Sequence, residues 1–282
     1  MSQRKYPNQS SRHTSGPAAP VKLMPGRTGG RRRSPPKSDT EGLWLYGIHA
    51  VVAALRNPER KKLRFLATSN GLEAILSQIK VAEPSAEILD SQQISRILPA
   101  GAVHQGLALL VQPLEEPDLK DVCAGEPNGK PRLVMVLDQL TDPQNVGAVL
   151  RSCAAFGATA VILTGQHAPP ASGVLAKAAS GALDMVPVVR VINLARAMEQ
   201  LAELGYWRVG LDSEALQPIA DIDLTGNLAI VLGAEGHGLR QLTARKCDFL
   251  ARIPASGELA SLNVSNAAAI ILYEVTRRRT SG

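Results

Sequence analysis

The feature that most constrains this chain is a succession of short, almost wholly aliphatic runs after Arg132, alternating with stretches of helical pattern. LVMVLD (133–138), AVILT (160–164), VPVVRV (186–191), WRVGL (207–211) and LAIVLG (228–233) read as strands, with a last short one at FLARI (249–253). A strand that is apolar at every position, rather than at alternate ones, is buried on both faces. Helices between the strands supply the cover, NLARAMEQLAEL (193–204) most clearly. The pattern predicts an α/β fold with a mostly parallel sheet. Ligands of such sheets gather beyond the carboxyl ends of the strands, so the loops that follow strands are where chemistry is expected.

The chain ahead of this region divides by composition. Residues 1–41 mix Ser, Pro, Gly and Arg with almost no large apolar side chains, and are expected to be a disordered basic tail. Residues 42–114 hold a smaller α/β unit: a helix at GIHAVVAALRN ended by Asn57-Pro58, strands at 63–68, 86–89 and 106–112, and helices at GLEAILSQIK and QQISRIL. Residues 115–130, rich in Pro, Gly and acidic side chains, read as a linker, and 131–282 as the larger domain.

Charge is placed unevenly. Residues 1–40 carry nine Lys or Arg against one Asp, whereas the rest of the chain is net negative by two. Nucleic-acid binding by the folded part therefore has to rest on local patches, not on the overall charge of +6. One candidate patch is Arg60, Lys61, Lys62 and Arg64, which reads equally well as a solvated loop. His49 and His104 are expected to be structural. Three scattered cysteines (Cys123, Cys153, Cys247) form no CxxC pair and argue against a disulfide framework and a zinc site. No apolar run is long enough to span a bilayer and no signal-peptide pattern opens the chain, so a cytoplasmic protein without membrane or metal is expected.

Three loops at strand ends carry the candidate chemistry. In LDQLTDPQNVGAVLRSCAAFGA, Asp142 and Pro143 form a helix start. On the helix that follows, Val146, Val149, Leu150 and Cys153 make an apolar stripe. Gly147 and Arg151 share another side, so that the arginine is expected to project from a surface cleared by glycine. A guanidinium there suits phosphate or carboxylate, although a solvated helix face would look the same. The second loop, VLGAEGHGLRQLT, is glycine-rich but is no GxGxxG fingerprint, and no GxxxxGK[ST] loop occurs. The third, SLNVSNAAAI, leads into an apolar terminal helix that Ser261 is expected to cap.

Together, N-x-G-x-x-x-R, G-x-E-x-x-G and S-L-N-V in this order strongly resemble the SpoU family of RNA ribose 2′-O-methyltransferases. YGIHAV, GAVHQG, KAASGALDMVPVVRV and NLARAM are similar to the subgroup that methylates a guanosine of large-subunit (23S) ribosomal RNA. The resemblance runs from about Leu43 to Arg278 and leaves only the tail uncovered. It implies a C-terminal domain threaded into a trefoil knot, a rare exception to unknotted topology. S-adenosylmethionine is the implied cofactor, contacted at Gly233, Ile253 and Leu262. The implied acceptor is the ribose of a guanosine in the peptidyl-transferase P-loop, either in free 23S rRNA or in an assembling large subunit. Arg151 takes the central catalytic role by resemblance, Asn145 orients it or the ribose, and Glu235, Ser261 and Asn263 shape the acceptor side. A homodimer and a ribosomal-protein-like RNA-binding domain over 42–114 are implied as well. The competing readings are a tRNA 2′-O-methyltransferase and a non-catalytic rRNA-binding assembly factor.

Overall fold

The structure, a computed structural model, describes residues 42–79, 84–125, 129–165, 168–170, 172–257 and 262–280. The tail, 1–41, therefore lies outside the described residues.

The first sheet is built from β1 (Leu43–Tyr46), β2 (Lys62–Ala67), β3 (Ala86–Ile88) and β4 (Leu107–Val111), in the order β1-β4-β2-β3. β4 runs antiparallel to both β1 and β2, while β3 is parallel to β2. Helices α1 (Ile48–Arg56), α2 (Ser69–Leu76) and α3 (Ser91–Ile97) connect these strands. Thr68 caps α2, and Asp90 with Gln93 forms a capping box on α3. His104 is buried here, with Nδ1 accepting from the Gly106 amide (3.1 Å) and Nε2 facing the Ser95 hydroxyl (3.0 Å). Those bonds make it a structural residue. β1 was not expected, because LWLY is too short for its period to be read.

The second sheet holds β5 (Leu133–Leu137), β6 (Ala160–Thr164), β7 (Val188–Val191), β8 (Trp207–Leu211), β9 (Gln217–Pro218), β10 (Leu228–Leu232) and β11 (Phe249–Arg252). Their order is β7-β6-β5-β10-β8-β11-β9, and every neighbouring pair is parallel. Alternate side chains of the central strands divide between two cores. Leu133, Met135 and Leu137 of β5, with Leu228, Ile230 and Leu232 of β10, face α5 (Pro143–Ala155), α6 (Gly173–Ala178) and α9 (Val264–Thr280). Val134, Val136, Ala229 and Val231 face α4 (Leu119–Cys123) and α7 (Leu194–Glu203). Both faces being covered is why these strands lack polar positions. α8 (Gln241–Arg245) completes the set of described helices.

α4 lies inside the stretch that composition reads as a linker. Asp118 caps it, Leu119 and Cys123 are buried, and the Tyr206 hydroxyl donates to the Cys123 carbonyl (3.1 Å). Two apolar anchors in five residues do not outweigh the surrounding Pro and Gly in a composition window. The cysteines are all free, and burial pushes the Cys153 thiol up to about 12, so it is a packing group rather than a nucleophile.

The two sheets meet at a short turn, 182–184. The Arg60 guanidinium donates through Nε to Asp184 Oδ1 (2.7 Å) and through Nη1 to the Gln112 carbonyl (3.1 Å), and Asn57 Nδ2 donates to the same Oδ1 (3.2 Å). Both charged side chains are 2% exposed. This removes Arg60 from the basic cluster as a phosphate contact and leaves Lys61 and Arg64 as its exposed members. Arg60 is held in the buried ion pair, Arg64 makes an exposed two-pronged pair with Glu87, and the Lys62 ammonium donates to the Asn57 carbonyl. A one-dimensional charge run cannot reveal partners that lie a hundred residues away or across a sheet.

Candidate functional site

α5 begins immediately beyond the carboxyl end of β5. Asp142 accepts from the Gln144 and Asn145 amides (3.1 and 3.2 Å), and Pro143 occupies the first turn, where its missing N–H costs nothing. The cap fixes Asn145 facing the loop after β10. There Asn145 Nδ2 donates to Glu235 Oε1 (3.1 Å), and Asn263 Nδ2 donates to Asn145 Oδ1 (3.1 Å) and to the same Glu235 oxygen. The Val264 amide points at that oxygen too (3.4 Å). Three loops far apart in sequence are thus joined by one carboxylate and two carboxamides at the carboxyl edge of the sheet. Glu235 is exposed, yet one of its oxygens is taken up in holding the two asparagines.

Asn263 is also the cap of α9. Its Oδ1 accepts from the Ser265 amide (2.9 Å), the Ser265 hydroxyl (2.6 Å) and the Asn266 amide (3.4 Å). The cap expected at Ser261 therefore sits two residues later, and Ser261 itself lies outside the described residues. A Ser-x-Asn stretch offers two residues of capping type, and only tertiary contact decides between them. Replacing Asn263 by Ala is expected to cost about 1 kcal/mol from the lost cap, which lowers Tm by about 2–4 °C in a chain of this size. Scanning calorimetry checks it, and an unshifted melting curve would mean that another group caps α9.

Arg151 lies two turns along α5, exposed, and makes no hydrogen bond or ion pair among the described residues. Gly147, one turn before it, does not clear a surface for it. Gly147 is buried against α6, where a Cβ would collide with the Ala178 side chain and come within 2.9 Å of the Ala179 nitrogen. Its lack of a side chain lets α5 and α6 touch, so the expectation of an arginine on bare glycine surface is corrected. Gly233 has a similar explanation: a Cβ there would strike the Gly238 carbonyl. The loop 234–238 closes back on itself, with the Gly238 amide donating to the Ala234 carbonyl (2.9 Å).

Ile253 is half-buried past β11, and Leu262 is 42% exposed at the entry to α9. Leu216, 92% exposed, is drawn against the end of β11 by the Arg252 guanidinium, which donates to its carbonyl. Leu262 is therefore an apolar side chain presented to solvent next in the chain to Asn263 of the polar network. Sequence reasoning missed the Asp138–Arg240 pair: Asp138 follows β5 directly and is fully buried, and Arg240 Nε reaches its Oδ1 at 2.7 Å. The signal was the lone acid closing an aliphatic strand. Among the described residues no group of three or more His, Cys, Asp or Glu is placed to hold a metal ion, and no helix is long and apolar enough to cross a membrane.

The SpoU rRNA Methylase family matches residues 132–273, and a family described as RNA 2′-O ribose methyltransferase substrate binding matches residues 44–117. The 23S rRNA (guanosine-2′-O-)-methyltransferase RlmB of Vibrio vulnificus is 42% identical over 243 residues, covering 84% of this chain and 97% of its own length. The chain belongs to the SpoU rRNA methylase family. The corresponding protein of Pseudomonas putida is 40% identical over 242 residues, across 83% of this chain and 96% of its own. Among solved structures, the SpoU methyltransferase AviRb from Streptomyces viridochromogenes, in complex with AdoMet, superposes with a TM-score of 0.71. It covers 86% of this chain and 92% of AviRb at 24% identity, a likeness of fold. Asn145, Arg151, Gly233, Glu235, Ile253, Leu262 and Asn263 all fall within the SpoU match.

Proposed function

We propose that the protein transfers the methyl group of S-adenosylmethionine to the ribose 2′-hydroxyl of a guanosine in 23S rRNA. The observation that carries this is the 42% identity to a 23S rRNA (guanosine-2′-O-)-methyltransferase along 97% of that enzyme's length. The network of Asn145, Glu235 and Asn263 supports it.

The chain's own residues fit the cofactor. Leu262, Ile253 and Leu216 offer apolar surface for an adenine beyond the strand ends, and the backbone at Gly233, Ile253 and Leu262 is assigned to reading its edge. When bound, S-adenosylmethionine supplies an electrophilic methyl on a sulfonium. Arg151 is assigned to grip a phosphate of the acceptor nucleotide and to stabilise negative charge that develops on the attacking oxygen. A guanidinium does not deprotonate near neutral pH, so its work is positioning and electrostatics rather than proton removal. Glu235 holds Asn145 and Asn263 in one orientation, and the two carboxamides orient the ribose. Ser261 is proposed to border the acceptor.

The match at 44–117 supports reading the first sheet, 42–114, as the RNA-selecting domain and 131–282 as the methyltransferase domain. A trefoil knot is proposed for the latter; family membership supports it, as does the packing of α9 back onto α5, where Phe156 and Tyr273 meet edge to face at 6.2 Å. A homodimer is proposed, with Ile270 and Tyr273 of α9 (41% and 56% exposed) available to a second copy. Incubation with methyl-labelled cofactor tests the reading: label is expected in 23S rRNA and not in tRNA. Tight rRNA binding without label would instead favour an assembly factor.

A further inference from the structure

A cavity of about 310 Å³ opens beyond the carboxyl ends of β6 and β7. It lies on the same edge of the sheet as the asparagine–glutamate network but is lined by none of those residues. Two of its walls are apolar and turned to solvent, Ile192 (92% exposed) and Leu242 (59% exposed). The two flank one opening, and it is their pairing rather than their exposure that is informative. The rest of the lining is mixed, with Leu194 and Ala195 from the first turn of α7 beside the polar Asn193, Thr164, Thr243 and Arg240. Thr243 is 2% exposed and Thr164 7%, yet among the described residues neither hydroxyl has a hydrogen-bond partner. The Arg240 guanidinium forms a third polar wall. It is clamped through Nε and Nη2 by the fully buried Asp138, which leaves its Nη1 edge unbonded among the described residues.

The neutralised charge decides what fits. Asp138 cancels Arg240, which makes the cavity a poor trap for a bare phosphate. A clamped N–H edge, two threonine hydroxyls open to the cavity and a pair of aliphatic jaws suit a flat group with apolar faces and a polar rim. A cavity at the small end of ligand sites is the right scale for a single base. Single-stranded RNA is read in this way, with unstacked bases held between side chains and bonded along their edges. Location adds the last step, because Arg240 follows Glu235 by five residues, two past the end of the closed loop 234–238 that carries the glutamate.

We propose that this cavity holds an unstacked base of the RNA strand, from a nucleotide flanking the one whose ribose meets Asn145 and Asn263. The inference rests on the rRNA-methylating reading above and adds to it a second contact that sets sequence context. Leu242→Ala and Thr243→Val in the full chain test it, with a 23S rRNA fragment and versions of it carrying an abasic residue at each flanking position in turn. Either variant is expected to raise KM for the intact RNA about tenfold, with kcat and cofactor affinity within twofold of the parent. Abasic replacement at one flanking position should cost the parent a similar factor and cost Leu242→Ala nothing more. Unchanged KM in both variants, or losses that add at every abasic position, would overturn the proposal. So would a Leu242→Ala chain that loses its oligomeric mass, since a second copy would then cover this face. If the parent methylates none of these RNAs, the enzymatic reading fails. Filter-binding affinities of the same RNA set, with the same tenfold and non-additive pattern expected, then decide the base site independently.

Discussion

Arg151→Ala is expected to lower the turnover of methyl transfer by at least about a hundredfold, the scale set by removing one charge-stabilising donor from a transition state. Cofactor affinity and melting temperature should stay at the parent's values. The basis is Arg151's position: exposed, on α5 two turns from its cap, and without a hydrogen bond or ion pair among the described residues. Folding has nothing invested in such a side chain, whereas a substrate phosphate would find an unspent cation. Arg151→Lys keeps the charge but loses the planar fork, and should recover only part of the rate. Single-turnover kinetics with saturating RNA separates the chemical step from binding. Undiminished turnover in Arg151→Ala would remove the residue from the mechanism.

The largest effect on stability is expected at Asp184. Its carboxylate holds Arg60 in a site where both side chains are 2% exposed, so Asp184→Ala strands a guanidinium away from water. Breaking a buried pair from one side costs about 3–5 kcal/mol, and Tm should fall by roughly 10 °C. Because a buried pair is itself a poor net stabiliser, the double variant Arg60→Met/Asp184→Leu should recover most of that loss. Differential scanning calorimetry of the three chains reads both outcomes. A double variant as unstable as the single one would mean that the hydrogen bonds to Asn57 and Gln112 matter more than the isolated charge.

What the amino-acid sequence disclosed here follows from how local each signal is. The aliphatic strands of the second sheet were legible because burial on both faces removes most of their polar positions: AVILT falls on β6 residue for residue, as does WRVGL on β8, although Trp207 and Arg208 there reach solvent. The start of α5 was legible because Asp142 and Pro143 act within their own turn. Asn145, Glu235 and Asn263 could be singled out as a set only through family resemblance; their hydrogen bonds span up to 118 residues and no local pattern encodes them. Three misreadings share one cause. Gly147 serves the contact with Ala178, Arg60 the contact with Asp184, and α4 the cover of the second core, and each partner lies far along the chain. The choice of Asn263 over Ser261 as cap is of the same kind, since Glu235 is what pulls Asn263 into place.

The proposed acceptor atom is a ribose oxygen, brought to the network at the carboxyl edge of the sheet. This assignment is tested most directly with a 23S rRNA fragment in which the target guanosine is replaced by 2′-deoxyguanosine, incubated with the full chain and methyl-labelled S-adenosylmethionine. 2′-O-methylguanosine is the labelled nucleoside expected from the all-ribose fragment, with no label in the deoxy fragment. Label that persists on the deoxy fragment would place the methyl on the base and contradict the assignment.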